Sequence, residues 1–244
     1  MAESPPGSRP GPPRKRMVNL PVGGEGRPTA QRLKTAKQRT PSSQAWLERQ
    51  LNDPYVAAAK AKGYRSRAAF KLAELDDKLH LIRRGAAVID LGSAPGGWLQ
   101  VMLERGAGRV AGVDLLPVDP LPPVELIEGD FTDPAVAAQL AGLVGGAADL
   151  IVSDMAPNTT GHRKTDHLRI VGLIETAAAF AAETLKPGGA FVAKAFQGGE
   201  TATVIAELKR SFESVRMVKP KASRAESSEV YLVATGFRGG HPAS

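Results

Sequence analysis

Short apolar runs alternate with longer amphipathic stretches along most of the chain after residue 45. The apolar runs are rich in Val, Ile, Leu and Ala and predict seven β-strands, at 87–92, 109–114, 124–128, 149–154, 190–196, 214–219 and 229–236. Between them, helical patterns occupy 97–106, 134–144, 166–185 and 201–212. Strands that alternate with helices favour an α/β fold, with a mostly parallel sheet and helices on both faces.

One more helix is predicted before the first strand, within residues 64–81. Ser66 is its candidate N-cap, and apolar residues follow at helical spacing, at Ala68, Leu72, Leu75 and Leu79. The opposite stripe of the helix carries Arg67, Lys71, Glu74 and Lys78. This stripe is either a solvated face or a basic ledge that contacts a ligand.

A lysine interrupts the predicted strand at 190–196. Because side chains alternate between the faces of a strand, Val192, Lys194 and Phe196 share one face, which therefore carries an amine among apolar groups. In an edge strand, such a lysine would extend to water along its apolar stem. In an interior strand it would be a candidate catalytic amine.

The composition excludes several kinds of chemistry. The chain has no cysteine, so disulfides, thiolate metal sites and cysteine nucleophiles are excluded. Its four histidines lack the spacing of metal ligands, and we expect no metal, although His162 and His167 are close in sequence. No apolar run approaches the roughly 18 to 20 residues that span a bilayer, so we expect a cytoplasmic protein without a membrane partner.

Positive charge is concentrated near the N-terminus. Residues 1–45 contain nine basic and two acidic residues, whereas the rest of the chain contains 23 of each kind. The first half of this segment is also rich in Pro, Gly and Ser and poor in apolar residues. We therefore predict a disordered basic arm at 1–40, followed by one domain at 41–240. The arm is either a solubility tail or a segment that binds nucleic acid.

The residues that follow each predicted strand are candidates for ligand binding, because open parallel sheets bind ligands at the carboxyl ends of their strands. Gly92, Gly96 and Gly97 follow the first strand and would let the backbone approach a ligand closely. Their spacing matches neither the dinucleotide fingerprint nor a P-loop. Asp114 and Asp130 end the second and third strands, where they would suit ribose hydroxyls and an adenine amine. The pattern favours S-adenosylmethionine, unless the two aspartates merely cap helices.

Seven motifs occur in order along the chain: GYRSRAAFKL, DLGSAPGGW, VDLLP, GDFTD, SDMAPN, KPGGAFVAKAFQGG and SSEVYLVATG. Through them the chain, from about Trp46 to Gly236, resembles the FtsJ-type ribose 2'-O-methyltransferases of large-subunit ribosomal RNA. The resemblance implies a Rossmann-like, seven-stranded methyltransferase fold with S-adenosylmethionine as methyl donor. It also implies that the acceptor is a uridine ribose in the 23S rRNA of the 50S ribosomal subunit.

The resemblance assigns roles to residues of this chain as well. The cofactor contacts that it implies are Gly96, Trp98, Asp114, Asp130 and Asp154. The catalytic lysine of the family corresponds to Lys194. The wider catalytic set that it implies is Lys71, Asp154, Lys194 and Glu229.

Methyl transfer to a hydroxyl requires alignment of the acceptor oxygen with the methyl group and removal of its proton. A free lysine is neutral in only about 1 molecule in 2,500 at pH 7, so a lysine that acts as a base needs a lowered pKa. We therefore expect Lys194 to serve either as the base or as the amine that orients the oxygen. Asp154 would hold this amine, and Lys71 and Glu229 would place the ribose. The alternative for Glu229 is an ion pair with Arg224.

Two features of the sequence favour a hydroxyl acceptor. Enzymes that methylate carbon 5 of pyrimidines attack through a cysteine, which this chain lacks. Enzymes that methylate amino groups commonly carry an Asn/Asp-Pro-Pro-aromatic turn after the fourth strand, where this chain has Asp154-Met155-Ala156-Pro157. Two alternatives stay open, a tRNA ribose as acceptor and a non-catalytic rRNA-binding assembly factor. We expect a monomer without a DNA partner.

Overall fold

The structure is a computed structural model that describes residues 51–157, 162–198 and 201–239. The arm predicted at 1–40 lies outside the described residues. The same is true of the first ten residues of the domain predicted at 41–240.

Six helices are found in the described residues: α1 (Pro54–Lys62), α2 (Ala69–Leu79), α3 (Gly97–Glu104), α4 (Pro134–Leu143), α5 (Arg163–Thr184) and α6 (Ala202–Ser211). Asp53 and Asp133 cap α1 and α4 by accepting a backbone N–H two residues on, at 3.0 and 2.8 Å. A proline follows each of these aspartates, as is common at the first helical position. Within the described ranges, no helix is long and apolar enough to cross a membrane.

Seven strands form a single sheet: β1 (Ala87–Leu91), β2 (Arg109–Asp114), β3 (Glu125–Glu128), β4 (Ala148–Ser153), β5 (Leu185–Phe196), β6 (Phe212–Val218) and β7 (Glu229–Phe237). Their order is β3-β2-β1-β4-β5-β7-β6, and β7 is antiparallel to both of its neighbours while the other pairs are parallel. The predictions of seven strands and a mostly parallel sheet are confirmed. The largest difference is at the start of β5, which is longer than predicted because Leu185 pairs with Ala148 ahead of an irregularity in the ladder.

Helices cover both faces of the sheet, as predicted, and each face buries its own core. On one face, α1, α2 and α3 pack against strand residues such as Val88 and Val192. On the other face, α4, α5 and α6 pack against the neighbouring residues Ile89 and Phe191. Adjacent residues of one strand thus enter opposite cores, as the pleat requires.

The lysine of the strand at 190–196 lies in the interior of the sheet, because β5 is hydrogen-bonded to β4 on one side and β7 on the other. The edge-strand interpretation of Lys194 is therefore wrong. Phe196 differs from the prediction too, since it packs with the α4–α6 core, its ring centroid 5.8 Å from that of His167. Phe196 still pairs with Glu229 as the last residue of β5, and its ring packs edge-on against His167.

The beginning of α2 differs from the prediction. Ala68 is the residue before the helix, and no side chain caps it, so the assignment of Ser66 as N-cap is wrong. The Ser66 hydroxyl instead lies against the start of α3, where a Cβ added to Gly97 would be 2.4 Å from it. Close packing between α2 and α3 thus uses the serine that the sequence suggested as a cap.

The polar stripe of α2 is not a solvated face. Lys71 is only 6% exposed and Arg67 and Glu74 are half-buried, whereas Lys78 alone of the four is exposed. The segment 219–228 covers the stripe, because the carbonyl of Ala222 accepts a hydrogen bond from Arg67 and its N–H donates to Glu74. Contacts that are distant in sequence therefore bury charges that helical periodicity alone would leave in water.

Candidate active site

The amine of Lys194 is held by Asp154 at the carboxyl end of the central strands. Asp154 directly follows β4, and Lys194 lies near the end of the adjacent β5. The Lys194 Nζ lies 2.9 Å from Asp154 Oδ1 and donates to the Asp154 backbone carbonyl at 2.6 Å. The lysine side chain is 10% exposed. The two residues that the resemblance joins in one catalytic set are thus in direct contact.

A second ion pair joins the other two residues of the predicted set. Lys71 Nζ lies 2.7 and 2.9 Å from the two carboxylate oxygens of Glu229, and the two side chains are 8% and 15% exposed. The Ser223 hydroxyl donates a third hydrogen bond to Glu229, at 2.7 Å. Arg224, the alternative partner for Glu229, instead has its Nη2 3.5 Å from Asp53 Oδ2.

Tyr231 connects the two ion pairs, and sequence reasoning missed it. It is fully buried and pairs with Lys194 across the antiparallel β5–β7 ladder. Its hydroxyl donates to Asp154 Oδ1, and its ring centroid lies 5.7 Å from Lys71 Nζ. Burial, followed by the negative charge of Asp154, raises the pKa of the Tyr231 hydroxyl well above its usual range, so it stays a donor. Its position two residues after Glu229, on the same face of β7, is the signal that could have revealed it.

Asp114 ties the end of β2 to the glycine loop, which we define as residues 92–97. Its Oδ2 accepts the N–H of Ala94 at 2.8 Å, and its Oδ1 accepts the N–H of Leu116 at 2.9 Å. Gly92 and Gly96 have φ angles of 80° and 105°, which favour glycine. The predicted loop and the predicted acid therefore form one structural unit at the same edge of the sheet.

Asp130 shapes the next loop, after β3. Its carboxylate accepts hydrogen bonds from the backbone N–H and the hydroxyl of Thr132, at 2.9 and 2.8 Å, and these bonds lower the pKa of Asp130. The capping alternative is wrong for both aspartates: Asp133 caps α4, and the element after Asp114 is β3.

Trp98 lies next to the ion pairs, but its indole is not open to a ligand. The residue is 3% exposed, its Nε1 donates to the Ala68 carbonyl at 2.8 Å, and its ring centroid lies 5.6 Å from that of Tyr231. As the second residue of α3, Trp98 also carries one of the amides of the first helical turn, which find no acceptor within the helix. A ligand contact at Trp98 would therefore use the backbone.

Asp90 is the second residue that sequence reasoning missed. It lies in β1, is 1% exposed, and neither carboxylate oxygen has a hydrogen-bond partner; the nearby Ser93 hydroxyl is equally buried and unpartnered. Burial, followed by the charges of Asp154 and Asp114, raises the pKa of Asp90 well above its usual range. Three carboxyl groups thus interact at the carboxyl ends of β1, β2 and β4. The sequence feature that could have revealed Asp90 is its position as the first residue of the motif DLGSAPGGW.

The described part of the chain contains no group of three or more His, Asp or Glu side chains that could hold a metal ion. His167 contacts the carbonyl of Phe196 through its Nε2, at 3.3 Å.

The fold and the site together define a class of enzyme. The strand order, with a single antiparallel strand β7, and a site at the carboxyl edge beside a glycine loop are those of a Rossmann-like methyltransferase. The FtsJ-like methyltransferase family matches residues 64–237. The chain belongs to this family.

Similar proteins agree with this assignment. The chain is 66% identical to the Ribosomal RNA large subunit methyltransferase E of Caulobacter sp. strain K31, over 91% of this chain and 100% of that protein. It is 65% identical to the protein of the same name from Caulobacter vibrioides, with the same coverage. A solved structure from Plasmodium falciparum, assigned as a ribosomal RNA methyltransferase, has a TM-score of 0.66 and 33% identity, over 72% of this chain and 100% of that one.

Proposed function

We propose that this methyltransferase transfers a methyl group from S-adenosylmethionine to the ribose 2'-hydroxyl of a uridine in 23S rRNA. In this proposal the uridine is part of the 50S ribosomal subunit, the reaction takes place in the cytoplasm, and the enzyme acts as a monomer. The observation that carries the proposal is the contact between Lys194 and Asp154 beside the glycine loop, joined through Tyr231 to the Lys71–Glu229 pair. The names of the similar proteins support ribosomal RNA as the substrate.

The residues around the glycine loop fit S-adenosylmethionine. Gly96 and the Trp98 amide would face the ligand, and Asp114 and Asp130 would hold its adenosine. The buried and unpartnered Asp90, close to the charges of Asp114 and Asp154, suits a ligand that brings positive charge and hydrogen-bond donors. When bound, S-adenosylmethionine supplies a methyl group that its sulfonium charge makes electrophilic.

Lys194 acts on the acceptor oxygen in this proposal, either as the base that takes up the 2'-proton or as the amine that orients the oxygen while water takes up that proton. A lysine ammonium carries three N–H donors. Two of them are directed at the carbonyl and the carboxylate of Asp154, which leaves one for the ribose 2'-oxygen. Asp154 and Tyr231 fix the direction of the amine, and the Lys71–Glu229 pair forms the adjacent wall against which the ribose lies.

An open groove of about 340 Å³ next to this wall supports a polyanionic acceptor. Three cations line it, Arg67, Lys221 and Arg224, against two carboxylates, Asp53 and Glu226, and Asp53 pairs with both arginines. Ser223 lines the groove and also donates to Glu229, so the groove and the ion pairs share a residue. Phosphate groups of an RNA strand would find cations here while a ribose reached the ion pairs. We propose that the basic arm at 1–40 adds further phosphate contacts.

The direct test is methyl transfer from radiolabelled S-adenosylmethionine to 50S subunits that lack the modification. Lys194→Ala should lower the rate at least 100-fold while calorimetric binding of S-adenosylmethionine persists. Lys186→Ala is the matched control, because Lys186 lies on the same strand, 45% exposed, and pairs with Asp149 away from the site. Undiminished transfer by Lys194→Ala would refute the role of the lysine.

The position of the methyl group tests the acceptor. Reverse transcription at low nucleotide concentration should stop at one uridine of 23S rRNA after incubation with the wild-type protein. Incorporation into tRNA alone would redirect the acceptor assignment, and RNA binding without incorporation would favour a non-catalytic factor.

A further inference from the structure

Arg65 joins the two loops that border the adenosine side of the site. Its Nη1 donates to the carbonyl of Asp119 at 2.7 Å and to that of Pro95 at 3.3 Å, and its Nη2 donates to the carbonyl of Pro120 at 2.9 Å. Pro95 belongs to the glycine loop, and the other two residues belong to the loop between β2 and β3. A planar guanidinium with several fixed donors can hold such carbonyls at a defined separation.

The structure around Arg65 accommodates this arrangement. The Arg65 backbone N–H donates to Gln100 Oε1 at 2.7 Å, and Gln100 Nε2 donates to the Gly63 carbonyl at 2.9 Å, which anchors the residue on α3. A Cβ added to Gly96 would lie 2.7 Å from Arg65 Nη1. With its φ of 105°, Gly96 therefore serves two purposes: it permits the turn of the loop, and it leaves space for the guanidinium.

We infer that Arg65 is a positioning residue that sets the width of the adenosine pocket; this inference rests on the proposed function. The loop it holds begins directly after Asp114, and its first residues, Leu115 and Leu116, are 70% and 65% exposed. These apolar side chains lie beside the acid expected to hold the ribose of the cofactor. Arg65 acts on the cofactor through the backbone of both loops and leaves the ion pairs at Lys194 unchanged.

The competing explanation is that Arg65 binds an RNA phosphate, because it is cationic and its guanidinium hydrogen bonds are exposed to solvent. The two roles predict opposite effects on two affinities. Loss of the bridge should weaken S-adenosylmethionine binding about 10-fold, which corresponds to about one charged hydrogen bond. It should leave the affinity for RNA and the kcat at saturating S-adenosylmethionine unchanged. Loss of a phosphate contact would weaken RNA binding and spare the cofactor.

The experiment compares Arg65→Ala and Arg65→Lys with the control Arg216→Ala. Arg216 lies on the edge strand β6, where its Nε donates to Ser214. Calorimetry measures S-adenosylmethionine binding, filter binding measures RNA affinity, and steady-state rates separate KM from kcat. Arg65→Lys should restore little, because a single ammonium cannot reproduce the fork of donors. Unchanged cofactor affinity with weakened RNA binding in Arg65→Ala would overturn the inference.

Hydrogen exchange without any ligand gives a readout that is independent of activity. Backbone amides between residues 115 and 121 should exchange faster in Arg65→Ala than in the wild type or in Arg216→Ala. Equal exchange in all three proteins would also overturn the inference. If the wild type itself bound no S-adenosylmethionine, the proposed function would fail, whereas the exchange result would still decide whether Arg65 holds the loops.

Discussion

The buried ion pair between Lys71 and Glu229 makes a quantitative prediction about stability. Removing one partner of a buried pair leaves an uncompensated charge and costs about 3 to 5 kcal/mol. Here Glu229 keeps the hydrogen bond from Ser223 and is 15% exposed, so the lower end of the range applies. We expect Lys71→Met, which keeps the aliphatic stem, to lower the free energy of unfolding by about 3 kcal/mol. That is a large share of the roughly 5 to 15 kcal/mol that stabilises a typical domain.

A second ion pair in the same protein is the control for burial. Lys186 Nζ and Asp149 Oδ2 are also 2.9 Å apart, but the side chains are 45% and 30% exposed. Exposed pairs contribute about 0 to 1 kcal/mol, so Lys186→Met should cost little. The comparison of these two variants thus tests burial at nearly constant distance.

Urea unfolding followed by circular dichroism measures both effects, with the slope of the transition checked for each variant. The double variant Lys71→Met/Glu229→Gln should recover part of the loss, because it removes the charge left behind in the single variant. The coupling energy between the two sites should lie in the range of about 0.5 to 3 kcal/mol. A loss of stability in Lys71→Met no larger than that in Lys186→Met would refute the effect of burial. The coupling would be refuted if the separate effects of Lys71→Met and Glu229→Gln simply added up to the effect of the double variant.

Two further predictions concern Asp90 and the arm. Because the pKa of Asp90 is raised in the folded state, its contribution favours folding below about pH 4 and is lost as the pH rises through the folded pKa. Asp90→Asn should therefore gain stability relative to the wild type as the pH rises from 4 to 8 in urea unfolding; a difference that does not depend on pH would contradict this. Deletion of residues 1–40 should weaken RNA binding mainly at low salt and reduce the slope of log affinity against log salt, measured by filter binding. An unchanged slope would show that the arm makes no phosphate contacts.

The elements of the fold were predictable because their signals are local. Each strand is a short apolar run, and the residues that flank it in the sequence identify it as a strand. All seven predicted strands are present in the sheet. The glycine loop was predictable too, because its backbone angles at Gly92 and Gly96 favour glycine, so the glycines in the sequence mark the loop. Asp114 and Asp130 were predicted as ligand contacts because the carboxyl ends of strands are where this class of sheet binds its ligands, and both residues lie at that edge of the sheet.

The predictions that failed for Ser66 and Lys71 involve partners far away in the sequence. Ser66 has the composition of an N-cap, but its hydroxyl packs against Gly97. Lys71 has the periodicity of a solvated position, but β7 brings Glu229 to it from 158 residues away. Helical spacing describes one face of one helix and contains no information about which segment covers that face.

By itself, the sequence determined the α/β architecture, the glycine loop after the first strand, and the lysine set in an apolar strand. The tertiary structure alone decided how these groups act on one another. The antiparallel register of β7 places Tyr231 opposite Lys194, and the convergence of three strand ends leaves Asp90 buried near two other carboxylates. Charge and burial depend on all neighbours in space, and strand pairing between distant segments sets those neighbours.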